Sequence, residues 1–289
     1  MKQSSIGRSI ARFGCDSETY SRVRKGSTKH RKLRPVVGAL LILVSGCNPA
    51  SNRVFEQIFE QVYTIRPDAN VTITNGDGAV LLYGSNVDQM QVHAVKRAYS
   101  QRRLAQIGID VRVEADSVSI TTRFPPKPAW ALSDRSGTVE YTIVVPAVAN
   151  ISTLHLDAGE ILLDGMRGHT TRAELGEGRM FARNCFSSVD LAIRRGNIRL
   201  SYDWWEQGEL SARANIAQGN IWAYLTADAA CRLSANAPHG RIVNDFTNPT
   251  AGAVFEKTTK IDQLINSGGK AVINIRVEKG DINILRTNP

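Results

Sequence analysis

The chain has 289 residues, with 36 Lys and Arg against 27 Asp and Glu, a formal net charge of +9 and four cysteines. The first 46 residues hold 10 of the basic and 2 of the acidic residues, so the remainder has 26 basic against 25 acidic residues. The basic excess therefore belongs to the N-terminal segment. It does not predict a nucleic-acid partner, because such a partner requires a basic face on the folded domain.

The N-terminal segment has the layout of a secretory signal. A basic stretch ending at Arg34 precedes an uncharged apolar run, residues 36–46. A basic segment, an apolar run of ~7–15 residues and small residues at its end are typical of such signals, whereas a spanning helix needs ~20 apolar residues. The segment Val44–Cys47 resembles the lipobox of bacterial lipoproteins. That resemblance implies cleavage after Gly46, acyl chains such as palmitate on Cys47, and a protein tethered to a membrane of the cell envelope.

Two alternatives stay open for this segment. It could instead be a short buried core segment with a chance cysteine. The basic stretch is also unusually long, which indicates either an over-extended start or a genuine long leader, although no Met occurs between Met1 and Met90. Asn48 follows the proposed anchor. By similarity to enterobacterial lipoproteins, it predicts the outer membrane in an organism with two membranes.

The rest of the chain predicts an all-β fold. Apolar and polar residues alternate in segments such as 71–74, 111–113, 139–143 and 189–193, and a period of two places the apolar set on one face of a strand. Two stretches have helical spacing, residues 51–61 and 95–106. The expected organisation is a signal peptide at 1–46, an anchor and tether at 47–61, and a β-repeat domain at 62–287.

A Gly-polar-apolar step recurs along this domain. Its glycines are Gly159, Gly178, Gly196, Gly219, Gly240 and Gly280, with Gly78 as a plausible seventh. A period near 20 residues is typical of a solenoid, in which glycine turns a corner and stacked copies share one core. We therefore predict a β-solenoid or β-roll. The interval between Gly240 and Gly280 is about two periods long, and a degenerate copy is expected within it near residues 267–269. A β-sandwich is the alternative, because its strands are also closely spaced.

The repeat phase also bears on the cysteines. Cys15 and Cys47 belong to the leader and anchor, which leaves Cys185 and Cys231. An oxidising envelope permits a disulfide between them. Both have the parity of inward-facing residues, but one copy lies between them. Two rungs of ~4.8 Å exceed the ~7 Å that a disulfide allows between Cα atoms, so both are predicted to be free and buried.

The strand pattern resembles a known family. The segments 139–146 and 154–161, followed by the Gly-Asn-Ile copies, are similar to the bacterial "putative adhesin" β-strand-repeat family, a domain of unknown function, and residues 75–84 resemble its opening strand. The resemblance covers roughly residues 62–287. It implies an extracytoplasmic β-solenoid that binds rather than catalyses. This chain departs from the pattern in an insert at residues 124–130 and in the tip at residues 202–206.

Few residues point to chemistry. The histidines His93, His155, His169 and His239 lack the pairwise spacing common in metal sites, and no cofactor or metal site is predicted. Outward charged residues could line a catalytic face for polysaccharide acid–base chemistry, although any soluble strand needs such residues. They are Glu160, Glu177, Asp190, Arg194 and Arg195.

Aromatic residues are the better binding candidates. Trp204 and Trp205 lie beside Tyr202 between two copies, and exposed aromatics can stack on sugars or anchor a protein interface. Trp222 and Tyr224 could join them or pack a wide interior, and Trp130 lies in the Pro-rich insert.

The sequence therefore predicts a non-catalytic, membrane-anchored scaffold that binds an envelope protein or a glycan. A β-helix enzyme acting on polysaccharide is the alternative, and an envelope-assembly factor would share the same features.

Overall fold

The computed structural model describes residues 53–126, 137–247 and 258–287. The predicted leader, Gly46, Cys47 and Trp130 lie outside these residues. The prediction of an all-β fold is confirmed, because the described residues form fifteen strands and one six-residue helix. The elements are β1 (Phe55–Thr64), β2 (Asn70–Ser85), β3 (Gln89–Ala98), α1 (Gln101–Gln106), β4 (Gly108–Val113), β5 (Ser117–Arg123), β6 (Thr138–Pro146), β7 (Asn150–Asp164), β8 (Thr170–Arg183), β9 (Ser188–Ser201), β10 (Ser211–Thr226), β11 (Cys231–Asn236), β12 (Ile242–Asn244), β13 (Lys260–Ile265), β14 (Ala271–Lys279) and β15 (Ile282–Thr287).

Each of the five strands of 14–16 residues, β2 and β7–β10, bends at a glycine and so has two arms. In β9, Val189, Leu191 and Ile193 are buried before Gly196, and Ile198 and Leu200 are buried after it. The inward residues thus change from odd to even numbers at the corner. Gly196 has φ +143°, a conformation that side-chain-bearing residues avoid. The glycine therefore lets both arms of one strand turn their apolar residues into the same core.

These strands stack in parallel and in register at the glycines. Gly159 is opposite Gly78 on one side and Gly178 on the other, and the column continues through Gly196 and Gly219. A Cβ atom added at Gly178 would lie 1.8 Å from the backbone oxygen of Gly159. Because that space is filled by backbone, the close approach of neighbouring strands requires glycine at this position.

The polar residue after the glycine also has a structural role. The Asn197 side-chain oxygen accepts from the backbone N–H of Asn220 at 3.2 Å, and the Asn220 oxygen accepts from the N–H of Asp281 at 2.9 Å. The carboxylate of Asp281 in turn accepts from the N–H of Arg241 at 2.9 Å. Side chains therefore satisfy backbone donors at the corners, which explains why Asn or Asp follows the glycine there.

The last strands do not stack in chain order. The pair β14 and β15 lies against β10, and β11 and β12 pair with the far side of β14 and β15. The strand β13 runs antiparallel to β11. A turn at Asn266, Ser267 and Gly268, all with positive φ, then reverses the chain. The prediction of a degenerate copy near residues 267–269 is wrong, because those residues form this turn.

The two helical predictions have different outcomes. Residues 55–61 belong to β1, which pairs antiparallel with β3 along its whole length, so the prediction of a helix at 51–61 is wrong. The core-packing residues of β1 are Phe55, Phe59 and Tyr63, which occupy every second inward position of the strand. They therefore lie four residues apart, and this spacing is also that of one face of a helix. The prediction for 95–106 is only partly confirmed, because residues 95–98 belong to β3 and the helix α1 covers residues 101–106. It begins after Ser100, whose hydroxyl accepts from the N–H of Arg103 at 3.2 Å.

The cysteine prediction is confirmed, since Cys185 and Cys231 are both free and buried. Cys185 precedes β9 and Cys231 begins β11, and both β10 and β14 lie between those two strands. One more strand therefore separates them than the sequence indicated. Burial raises the pKa of each thiol to about 12.

Replacing a glycine of the column should strongly destabilise the protein. In Gly178→Ala, the positive φ costs ~1–3 kcal/mol and the new Cβ displaces the backbone of Gly159, so we expect the free energy of unfolding to fall by at least ~2 kcal/mol. Urea unfolding measures this. The matched control is Gly208→Ala, whose Cβ would meet no atom within 4 Å and should change stability by less than ~0.5 kcal/mol. Equal effects would contradict the role of the column.

Candidate functional site

Four aromatic side chains meet beside the connection between β9 and β10. We call Phe186, Tyr202, Trp204 and Trp205 the Trp204 cluster. The Phe186 ring lies 5.3 Å from that of Tyr202 and 5.7 Å from that of Trp204, and Trp205 meets Tyr202 edge-on at 5.5 Å. Tyr202 is buried, and its hydroxyl donates to the carbonyl of Cys185 at 3.4 Å. The buried tyrosine therefore fixes the cluster to the core.

A salt bridge holds Trp204 in place. The indole N–H of Trp204 donates to Glu206 at 2.8 Å, and Arg167 donates to both oxygens of the same carboxylate at 2.8 and 2.6 Å. The guanidinium carbon of Arg167 lies 5.3 Å from the centre of the Phe186 ring. Bidentate pairs of this kind fix geometry as well as charge. The hydrogen bonds from Arg167 hold the pKa of Glu206 below its ordinary value.

The two predicted contact residues have different environments. The side chain of Trp204 is 47% exposed, while Trp205 is half-buried against the core. The structure brings both into one cluster, but it presents Trp204 and uses Trp205 mainly for packing. Glu206 belongs to the tip that the sequence singled out, but the sequence did not indicate Arg167 or Phe186, which come from two other connections.

A groove adjoins the Trp204 cluster. Its volume is about 670 Å³, and its walls include Arg167 and Phe186 together with His169, Glu209 and Lys270. Lys270 pairs with Glu209 at 3.3 Å. Aromatic, basic and acidic groups thus surround a space large enough for a small ligand or part of a larger one.

Another set of aromatics lies on the outer side of the second arms. Phe181, Arg199 and Trp222 are aligned on consecutive strands, and all three point away from the buried residues. The guanidinium of Arg199 lies 4.9 Å from the Tyr224 ring and donates to its hydroxyl at 3.2 Å. Trp222 and Tyr224 therefore do not pack an interior. Their parity relative to Ile221 would have predicted this.

The charged residues considered for catalysis form cross-strand ion pairs. Glu177 lies 2.9 Å from Arg195 and 3.4 Å from Arg194. Asp190 lies 3.8 Å from Arg172 and 4.0 Å from Arg213, and Glu160 lies 2.9 Å from Arg179. Opposite charges on neighbouring strands stabilise a sheet. Each carboxylate is thus engaged with an arginine on the outer face.

Two of the histidines have hydrogen-bond partners on the surface of the sheet. His155 lies on β7 between buried leucines and hydrogen-bonds Asp157 at 3.1 Å. His239 hydrogen-bonds the carbonyl of Glu278 at 3.1 Å. Within the described residues, no group of three His, Cys, Asp or Glu side chains is placed to hold a metal ion, and no helix is long and apolar enough to span a membrane.

Comparisons with known proteins give remote similarities. No family model matches the chain, and no curated protein matches it. Among solved structures, a "putative cell adhesion protein" from Clostridium sporogenes is 16% identical with a TM-score of 0.48, covering 80% of this chain and 100% of that one. A "putative adhesin" from Parabacteroides distasonis is 12% identical, with a TM-score of 0.32 and coverages of 79% and 97%.

A "putative adhesin" from Bacteroides fragilis is 9% identical, with a TM-score of 0.27 and coverages of 79% and 97%. All three TM-scores are below 0.5.

Acidification should release Trp204. The lowered pKa of Glu206 means that its contribution to stability is present above the ordinary carboxyl pKa of ~4.3 and is lost as the pH falls through the folded-state pKa. We expect acrylamide to quench tryptophan fluorescence more efficiently once Glu206 is protonated. In Glu206→Gln this change should disappear, while Glu209→Gln should retain it. An identical pH profile in Glu206→Gln would contradict the role of the carboxylate.

Proposed function

We propose that this protein is a non-catalytic lipoprotein of the cell envelope, tethered by acyl chains on Cys47, whose β-scaffold binds an envelope protein or a glycan through Trp204. The lipobox at Val44–Cys47 supports the tether. The sheet supports the scaffold, since β2 and β7–β10 repeat one two-armed shape in parallel register. We propose that these copies form a β-solenoid. In an organism with two membranes, Asn48 favours the outer one.

The fixed exposure of Trp204 is the observation that carries the binding role. A large aromatic ring that is 47% exposed would ordinarily be mobile on a surface loop. Here Phe186 supports one side of it and Glu206 holds its N–H. A side chain already held in one orientation loses little conformational entropy when a ligand binds. Trp is also the residue type most enriched among residues that dominate binding energy.

The surroundings favour binding over catalysis. Aromatic rings stack on the apolar faces of sugars and also anchor protein interfaces, and the adjoining groove adds Lys270 and His169 as polar partners. The outward carboxylates that acid–base chemistry would use lie within 4.0 Å of arginines. Such pairs are the cross-strand contacts that stabilise a charged outer face of a sheet.

Removing Trp204 should strongly weaken the binding. The processed protein would be screened on an array of envelope and host glycans and by cross-linking to intact cells. Affinity for the ligand found would then be compared with that of Trp204→Ala. Loss of a dominant aromatic contact costs at least ~2 kcal/mol, so the Kd should rise about thirtyfold. The control is Tyr99→Ala, which removes an aromatic ring of similar exposure, 51%. Unchanged affinity in Trp204→Ala, or hydrolysis of the bound glycan, would contradict the proposal.

The tether has a separate test. Cys47→Ser removes the thiol that would carry the lipid, so we expect the variant to lose metabolic labelling with palmitate and to leave the membrane fraction. Cys15→Ser serves as the control and should behave as the wild type, because Cys15 lies in the proposed leader. If the Cys47→Ser protein remained in the membrane fraction, Cys47 would not be the anchor.

A further inference from the structure

One long strand edge has no partner within the described part of the chain. Only β1, β4, β12 and β13 pair on a single side there. Three of these edges are short, at six, three and six residues, whereas β1 has ten. An unpaired edge offers a row of backbone donors and acceptors to another chain, and short length is one way in which proteins prevent such pairing.

The edge of β1 carries two acidic residues, Glu56 and Glu60, but it lacks the residues that most strongly prevent pairing. The strand contains no proline, lysine or arginine, and those residues usually block edge-to-edge pairing. On its outer side, Ile58 is 64% exposed and Val62 is 57% exposed. On its inner side, Phe55, Phe59 and Tyr63 are half-buried and extend the core to the edge. By contrast, β13 carries Lys260 and Asp262.

We propose that β1 is a self-association surface, which pairs antiparallel with β1 of a second copy about a two-fold axis at Phe59. The partner is a second copy because the strand is nearly a tandem repeat. Residues 55–58 read Phe-Glu-Gln-Ile and residues 59–62 read Phe-Glu-Gln-Val. When a strand with this four-residue repeat meets its own antiparallel copy, its aromatic residues can face aromatic residues and its glutamines can face glutamines.

The inner side is self-complementary in this register. Directly opposite residues have numbers that sum to 118, so Phe59 faces its own copy and Phe55 faces Tyr63. Gln57 faces Gln61. Opposite side chains in an antiparallel pair are ~4.5–5.5 Å apart at Cβ, and aromatic pairs are among the favourable ones. The half-buried rings of both copies would therefore join into one continuous apolar layer beneath the extended sheet.

The acidic residues select this register over its neighbours. With the axis at Phe59, Glu60 faces Ile58 and Glu56 faces Val62, so no carboxylate faces another. If the axis lay at Ile58, Glu56 of one copy would face Glu60 of the other. If it lay at Glu60, the Glu60 side chains of the two copies would face each other. Like charges directly opposite each other destabilise a sheet. The register at Phe59 also pairs residues 55–63 of one strand with the same residues of the other, nine of the ten in each.

Paired substitutions at Ile58 test both the contact and its register. Because Ile58 faces Glu60 of the second copy, Ile58→Glu creates two like-charge pairs, whereas Ile58→Lys creates two opposite-charge pairs. The full chain, purified in mild detergent, would be examined by sedimentation over a range of concentrations. We expect a wild-type dimer, a Kd about tenfold higher for Ile58→Glu, and an unchanged or lower Kd for Ile58→Lys.

The controls separate association from folding. Leu264→Glu changes a residue of equal exposure, 62%, on the opposite edge strand and should leave the dimer intact. Since Ile58 is exposed, circular dichroism and the thermal midpoint of each variant should match those of the wild type. A monomeric wild type would overturn the proposal, as would assemblies that grow beyond dimers. Equal effects of Ile58→Glu and Ile58→Lys would overturn the register.

Cross-linking gives an independent readout. In the double variant Gln57→Cys and Gln61→Cys, the thiol at position 57 of one copy faces the thiol at position 61 of the other. Mild oxidation should therefore produce a disulfide-linked dimer. The two positions are ~13 Å apart along one strand, too far for a bond within one chain. Either single variant alone should remain monomeric on a non-reducing gel. A dimer from the single variants, or none from the double variant, would contradict the pairing at Phe59.

Discussion

The close contact between backbones at the glycine corners is the constraint on which this fold depends. At each corner, the carbonyl oxygen of one strand occupies the space that a Cβ of the next would need. That contact fixes the register of the parallel strands, and the positive φ of the glycine decides which residues face inward after the bend. The following Asn or Asp then satisfies the backbone of the next corner. The glycine thus sets both register and side-chain phase, and at Gly196, Gly219 and Gly280 the next residue satisfies a backbone donor.

The candidate binding residues arise from variation in an otherwise regular chain. The strands themselves allow little change, because each inward residue is buried and each corner is filled. The connections are free to lengthen. The interval from Gly196 to Gly219 is longer than the two before it, and its additional residues form the connection that carries Trp204 and Glu206. A loop so placed gains rigidity from the neighbouring connections that bear Arg167 and Phe186.

The sequence predicted local features of the body well and its assembly less well. Alternation identified most strands, and inward parity identified Cys185 and Cys231 as buried, because both depend on nearest neighbours along the chain. Parity could also have placed Trp222 and Tyr224 outside. It could not predict the neighbours of β14, since every copy offers a similar apolar edge to every other. The Arg167–Glu206 pair joins residues that are 39 apart in the sequence. Exposed ion pairs of this kind produce no periodic sequence pattern from which they could be predicted.

The position of β14 and β15 has a consequence for the order of folding. Only four residues, 227–230, connect β10 to β11, yet the two strands do not pair, because β14 lies between them. A chain emerging from its N-terminal end therefore exposes the edge of β10 until residues 271–287 arrive to cover it. Direct pairing of β10 with β11 during that interval would be a misfolded state, and its resolution would require the two strands to separate. A truncation at the C-terminus would accordingly remove an interior rung of the sheet rather than its last one.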